Sequence, residues 1–97
     1  MDKVACRTPA EDRDGTTNIP SWKFDLIRGH ILQVLADGEA RHYSDVKDEV
    51  GARLTQEEAE NLGKLGWHVI TVKLELEVSG EIERVNAKGP QQIRLKK

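Results

Sequence analysis

One stretch in the second half of the chain constrains the fold more than any other. Residues 66–80 read GWHVITVKLELEVSG. Every second residue from Ile70 to Val78 is aliphatic and the residues between them are polar, a pattern typical of a half-buried strand. Read at 3.6 residues per turn, the same letters predict a helix with two separate apolar stripes. The neighbouring segments have to decide between these two interpretations.

The 97 residues suffice for one small domain with a single core. Residues 1–19 are polar, contain Pro9 and Gly15, and show no periodicity. They predict an N-terminal arm that is either a flexible tail or a segment docked on the domain. The folded domain is expected to cover residues 20–97.

Helical spacing begins at the start of that domain, where Ser21 is the expected N-cap. One stripe at this spacing consists of Phe24, Ile27, Ile31, Val34 and Leu35. Gly38 is the expected stop, and the residues ARHY that follow are short enough for a connecting strand.

A second helix is predicted after Ser44, with acidic residues in its first turn and apolar residues every four positions. The residues TQEE match a capping box of Thr55 with Glu58, which predicts a further turn or two of helix. Near the C-terminus, runs at 81–85 and 91–95 flank turn residues and predict a β-hairpin.

This order of elements resembles a winged helix-turn-helix domain. Many winged-helix regulators end their third helix in a pattern like L-E-x-x-G-x-I-x-R, and the matching residues here are Leu76, Glu77, Gly80, Ile82 and Arg84. The strings GTTNIPSWK and VKLELEVSGEIERV also resemble a family of small uncharacterised bacterial proteins. The resemblance implies a mostly α fold with a C-terminal β-hairpin (α+β), made of three helices plus a wing.

In that fold residues 67–79 form the third helix, and Gly80 ends it. Val69, Val72 and Leu76 would then face the core, at spacings of three and four. The competing prediction is an α+β domain whose antiparallel sheet includes residues 68–78.

The sequence gives no sign of catalytic chemistry. The residues SDVK at 44–47 have the spacing of serine acyl-enzymes, but their companion motifs are missing and Ser44 is expected to cap a helix. The three histidines are scattered, with no cysteine or carboxylate at ligand spacing beside them. We therefore expect a non-enzymatic binding module without catalytic residues, metal or cofactor.

Composition restricts the location and the general partners. The one cysteine allows no intrachain disulfide, and no apolar run resembles a signal peptide or a membrane span. A net charge of −2 gives no general attraction to membrane or nucleic acid. A cytoplasmic protein with no membrane partner is expected.

The winged-helix resemblance implies a regulator that binds double-stranded DNA. The predicted wing is basic and has amides that can form hydrogen bonds, so its expected contacts with DNA are Arg84, Lys88, Gln91, Gln92, Arg94 and Lys96. The third helix fits this role less well. Its outward residues, including Thr71 and Glu75, offer little that reads base edges, and a carboxylate would be repelled by phosphate.

The second apolar stripe of the same helix favours a protein partner instead. Trp67, Ile70, Leu74 and Val78 fall within about 80° of one another on a helix. An exposed apolar strip of this kind is usually an interface, with another copy of the chain or with another protein. The arm or the wing could also cover it. The resemblance favours DNA binding, whereas the residues of the helix favour protein contact.

Overall fold

The computed structural model describes residues 3–6, 17–85 and 92–96. Within these residues the fold is α+β and mostly helical, with four helices and two small sheets. In chain order the elements are β1 (Lys3–Cys6), β2 (Thr17–Pro20), α1 (Ser21–Val34), β3 (Arg41–His42), α2 (Tyr43–Arg53), α3 (Gln56–Leu62), α4 (Leu65–Ser79), β4 (Ile82–Arg84) and β5 (Gln92–Leu95).

The disputed stretch is helical, as predicted, and the alternative sheet through residues 68–78 is wrong. The helix α4 ends at Gly80, whose φ of 84° is left-handed, and the amide of Glu81 donates to the carbonyl of Leu76 at 3.0 Å. This is a Schellman-type stop, which favours glycine because other residues are strained at that φ. The helix wins over the strand because its core stripe packs against α1 and α2.

The capping box at Thr55 is confirmed. Its hydroxyl accepts from the amide of Glu58 at 3.1 Å, and the Glu58 carboxylate accepts from the amide of Thr55 at 2.9 Å. It starts a separate helix, α3, so four helices are described where the resemblance implied three. The two predicted serine caps are wrong: α1 follows Pro20 and α2 follows His42, neither with a side-chain cap bond.

A three-stranded antiparallel sheet has the order β3-β5-β4. Arg41 of β3 is paired with Ile93 of β5, and Ile82 of β4 with Leu95 of β5. The predicted strand in ARHY is therefore β3. Residues 86–91 between β4 and β5, which include the predicted DNA contacts Lys88 and Gln91, lie outside the described residues.

The described parts of the N-terminal arm form a second sheet that docks on the helices. Strands β1 and β2 are antiparallel, with Val4 opposite Ile19, and they contact α1 and α4. Cys6 and Ile19 are buried in the same core cluster as the helices. The arm therefore contributes core residues to the domain.

The core is aliphatic. Its fully buried side chains include one stripe of α1 and one stripe of α4, together with Val46 and Val50 of α2 and the two sheet residues Ile82 and Ile93. The two tryptophans do not join it, since Trp22 and Trp67 are 43% and 45% exposed, whereas Phe24 and Tyr43 pack against it. This leaves the outer face of α4 as the most unusual surface of the described chain.

Candidate functional site

Helix α4 buries an apolar stripe against the core, but three of its other residues depart from the polarity that a surface helix normally shows. Lys73 and Glu75 are only 0% and 7% exposed, whereas Trp67 is 45% exposed. A helix on the surface of a domain usually buries its apolar residues and turns its charges to water. Buried charged side chains and exposed large apolar side chains are both uncommon in soluble domains, so their presence on one helix needs a physical explanation.

The apolar side chains of the outer face of α4 lie at spacings of three and four residues, and we call them the outer stripe: Trp67, Ile70, Leu74 and Val78. Ile70, Leu74 and Val78 are each partly exposed. At 100° per residue, the stripe is centred opposite the fully buried Val69, Val72 and Leu76, and it is about 16 Å long. The outward orientation predicted for these four residues is the one that the helix gives them.

Charge is nearly absent from the outer half of α4. By helical geometry Glu77 is the only charged residue of 65–79 on that half. Its carboxylate is held by two cations, Lys73 Nζ at 2.8 Å and Arg84 Nε at 3.2 Å, and its side chain is only 9% exposed. The hydroxyl of Thr71 donates to the carbonyl of Trp67 at 2.7 Å. The Glu77 charge is therefore paired and the Thr71 hydroxyl is bonded within the protein, which lowers the cost of desolvating the surface around the stripe.

The buried charges of α4 lie along the flanks of its core stripe. Lys73 lies over the ring of Tyr43, with Nζ 5.5 Å from the ring centroid. Burial lowers the pKa of Lys73, and the bond with Glu77 opposes that shift. Burial also raises the pKa of Tyr43 to about 12. The flank of α4 next to α2 therefore has a cation, a carboxylate and a phenol packed together.

On the other flank, Glu75 lies near Cys6 of β1. Burial, and to a lesser extent the Glu75 charge, raises the pKa of the Cys6 thiol to about 11. The sequence-based prediction that Glu75 points outward is wrong. Strand β1 packs against this side of α4 and encloses the carboxylate.

The predicted wing carries nearly as many acidic as basic side chains in its described part. Over residues 81–85 and 92–96, two carboxylates (Glu81, Glu83) stand against three cations (Arg84, Arg94, Lys96). Their net charge is only +1, and Glu77 of α4 is paired with Arg84, so these described residues attract phosphate only weakly.

Two of the four described residues expected to contact DNA are paired with carboxylates. Arg84 is paired with Glu77, and Arg94 Nε is 2.6 Å from Glu83 Oε2. Glu81 forms an ion pair with Arg28, whose guanidinium lowers the pKa of that carboxyl. Of the remaining predicted contacts, Gln92 is half-buried in β5 and Lys96 is exposed. The structure thus separates the predicted wing contacts into two paired arginines, one exposed lysine and one half-buried amide.

Metal sites and membrane spans are two further features to consider in the part of the chain that is described. Residues 3–6, 17–85 and 92–96 contain no cluster of three or more metal-ligating side chains. Nδ1 of His68 lies 2.6 Å from the carbonyl of Lys64, one turn earlier in the chain. In the same ranges, no helix is long and apolar enough to cross a membrane.

Comparison with known proteins places the chain in a family without assigning it an activity. The model of a family of unknown function (DUF6958) matches residues 3–93, so the chain belongs to that family. No curated protein and no solved structure matches the chain.

Proposed function

We propose that this member of the family is a protein-interaction module, and that its binding surface is the outer stripe of α4. The observation that carries the proposal is that α4 exposes a tryptophan on its outer face while two charged side chains of the same helix are buried. Trp67 remains 45% exposed while Lys73, only six residues away, is fully buried.

The composition of the stripe fits the centre of a protein interface. Tryptophan is enriched at such centres, and lysine and glutamate are depleted. The stripe has one tryptophan and three aliphatic residues. The one carboxylate of residues 65–79 on the outer half of α4, that of Glu77, is already paired with Lys73 and Arg84. A partner that covered the stripe would therefore bury apolar area without burying an unpaired charge.

Site-specific photo-crosslinking in the organism that encodes the protein tests this proposal. A benzophenone amino acid replaces Val78 in the stripe or, as a control, Ala52, which is exposed on α2. We expect protein adducts from position 78 and none from position 52. No adduct from position 78, or adducts with nucleic acid, would refute the proposal.

A second candidate function is binding of double-stranded DNA through a wing. The order β3-β5-β4, with β3 between α1 and α2 and with β4 directly after α4, supports a winged-helix arrangement. In that arrangement the short α3 is an additional turn after the second helix, α4 takes the place of the third helix, and the β4–β5 pair is the wing. The net charge of only +1 over the described wing residues and the ion pairs of Arg84 and Arg94 weigh against strong phosphate contact.

Titration of labelled duplex DNA at low and moderate salt tests the DNA candidate. If Arg84 and Arg94 exchange their carboxylates for phosphates, each contact contributes roughly −0.9 to the slope of log affinity against log salt. Replacing both arginines by alanine should then flatten the slope by about 2 and weaken binding to all sequences alike. Failure of micromolar protein to bind at low salt would eliminate this candidate.

A further inference from the structure

We infer that the partner of the outer stripe is an acidic amphipathic helix of another protein, whose apolar face covers the stripe and whose carboxylates lie beside Lys64 and Arg84. This inference rests on the proposed function, because it uses the same surface. It adds the chemistry of the partner, which the charges that border the stripe indicate.

A lysine and an uncapped helix terminus border the tryptophan end of the stripe. Lys64, the residue before α4, is exposed, and no carboxylate of the described residues forms an ion pair with it. The first turn of α4 has no acidic residue and no side-chain cap. The amides of Gly66 and Trp67 precede the helical bond that His68 donates to the carbonyl of Lys64 at 3.2 Å. Unpaired amides and a lysine at a helix N-terminus favour a nearby carboxylate.

A guanidinium borders the other end of the stripe. Glu77 follows Leu74 by one turn and holds Arg84 Nε at 3.2 Å, so the guanidinium lies at the edge of the stripe. The side chain of Arg84 is 41% exposed, and its two Nη groups form no hydrogen bond with the described residues. Such groups are suited to a second carboxylate. Cationic groups therefore border the stripe at both ends.

The described helices of this chain do not supply the matching carboxylates. In α4 of a second copy, Glu75 is buried and Glu77 is already paired. Helices α2 and α3 are acidic, but their apolar side chains Val46, Val50 and Leu62 are buried in the core of the domain. An acidic helix with a free apolar face therefore has to come from another protein.

The acidic surface of α2 and α3 favours a short segment over an extended anionic surface. Both helices contact α4, and their exposed carboxylates are Asp45, Asp48, Glu49, Glu57 and Glu60. Duplex DNA or an anionic membrane carries negative charge over an area wider than α4, so these carboxylates would be repelled within a Debye length of about 10 Å. A single helix can place its carboxylates only where Lys64 and Arg84 lie.

The spacing of the two cationic groups sets the spacing of the carboxylates in the partner. Residues 64 and 77 are about 20 Å apart along α4, so a helix that lies along α4 needs acidic residues about 13 positions apart. Between them, apolar residues at spacings of three and four would face the stripe. One helix face is smaller than a standard interface, so we expect an affinity in the micromolar range.

Fluorescence anisotropy with two labelled synthetic peptides tests the inference on the wild-type protein. Both peptides are amphipathic helices of about 18 residues with the same leucine face. One has glutamates at the two ends of that face, about 13 positions apart, and the other has lysines there. At low salt the glutamate peptide should bind at least about tenfold more tightly, because each end exchanges an attraction for a repulsion. The ratio should fall as the salt concentration rises.

Two charge reversals and one stripe variant locate the bound peptide. Lys64→Glu should weaken binding of the glutamate peptide about three- to tenfold. Lys96 is a matched control, since it is also exposed and its amide bonds the carbonyl of Glu81 beyond the far end of α4. Lys96→Glu makes the same change in net charge and should alter binding less than about twofold. Leu74→Glu should abolish detectable binding, because a carboxylate would be desolvated beneath the peptide. Circular dichroism confirms that each variant is folded.

The inference would be overturned by equal affinities for the two peptides, by no binding of either at near-millimolar concentration, or by equal effects of Lys64→Glu and Lys96→Glu. Binding to vesicles of phosphatidylserine and phosphatidylcholine, without binding of the glutamate peptide, would also overturn it. The proposed function can survive these results. Adducts from position 78 with a protein would show that the stripe binds a partner of other chemistry, such as a second copy, whereas the absence of any adduct would remove both.

Discussion

Leu74 and Leu76 are the same side chain on opposite faces of α4, so truncation of each one to alanine measures how different the two faces are. Leu76 is 0% exposed and belongs to the core cluster. Leu74 is partly exposed and lies at the centre of the outer stripe. The helix, the chemical change and the intrinsic helix propensity are the same in both variants.

The two truncations should differ severalfold in their effect on the free energy of unfolding. Leu76→Ala leaves a cavity among fully buried neighbours and should cost about 3 kcal/mol. For a chain of this length, that corresponds to a fall in Tm of roughly 12–24 °C. Leu74→Ala removes a side chain that is already partly in water and should cost less than about 1 kcal/mol.

Urea unfolding and thermal melts followed by circular dichroism check this prediction. Both should be run on dilute samples that sedimentation shows to be monomeric, because a dimer would add its own concentration-dependent stability. The wild type at the same concentration is the reference. If Leu74→Ala destabilised the monomer as much as Leu76→Ala, the stripe would be part of the core and its proposed role as an interface would be wrong.

Three further predictions concern stability and use the same unfolding measurements. Gly80→Ala should lower the free energy of unfolding by about 1–2 kcal/mol because residue 80 has a left-handed φ, although no atom blocks a methyl group there. Gly29→Ala within α1 should instead raise it by roughly 0.5–1 kcal/mol. Equal effects of the two substitutions would contradict the argument. Thr55→Ala should cost about 1 kcal/mol by removing the hydroxyl half of the capping box, and no loss would contradict that role. The pKa of Cys6 is raised from 9.0 to about 11 and that of Tyr43 from 10.0 to about 12. The stability that each neutral group contributes is therefore fully present below its unfolded pKa and is lost as the pH rises from the unfolded to the folded pKa. Cys6→Ala and Tyr43→Phe should therefore lose less stability than the wild type between neutral and alkaline pH, and parallel pH profiles would refute that assignment.

Local signals predicted the end of α4, whereas its helical state was predicted from the order of the neighbouring elements, because the same residues also fit a strand. The residues at 69, 72 and 76 share a helical face, and a glycine stands where the helix must stop, so periodicity and stop chemistry agree. The capping box was equally local, because its two bonds join residues three positions apart. The serine caps failed because the chain enters α1 and α2 directly from β2 and β3, which set the backbone at those junctions.

The positions of the buried charges could not be predicted from α4 alone. Glu75 is enclosed because β1, some seventy residues earlier in the chain, packs against that flank. Strand β1 has only four residues and lies in a polar segment without periodicity, so nothing local indicated that it would pair or where it would dock. Lys73 similarly depends on Tyr43 at the start of α2.

The ion pairs of the predicted wing could not be predicted from the sequence either. Its basic residues were visible in the sequence, but their ion-pair partners depend on strand register and on the path of the chain after α4. Glu83 meets Arg94 because the two are register partners in β4 and β5. Glu77 meets Arg84 because Gly80 turns the chain back beside the helix. A count of basic residues therefore overstated the positive charge available for DNA.

The charges of α4 and the apolar character of its outer stripe have a common structural origin. Lys73 and Glu77 join α4 to Arg84 of β4, and Glu75 lies against β1, so these charges serve contacts with neighbouring elements of the fold. None of them is left to solubilise the outer half of the helix. The stripe, by contrast, lies opposite the core and contributes little to it, so under the proposed function a protein partner would remove from water apolar surface that α4 leaves partly exposed. The outer half of α4 favours a protein partner over DNA, because its one charged residue in 65–79 is the carboxylate Glu77, which offers no cation to a phosphate backbone.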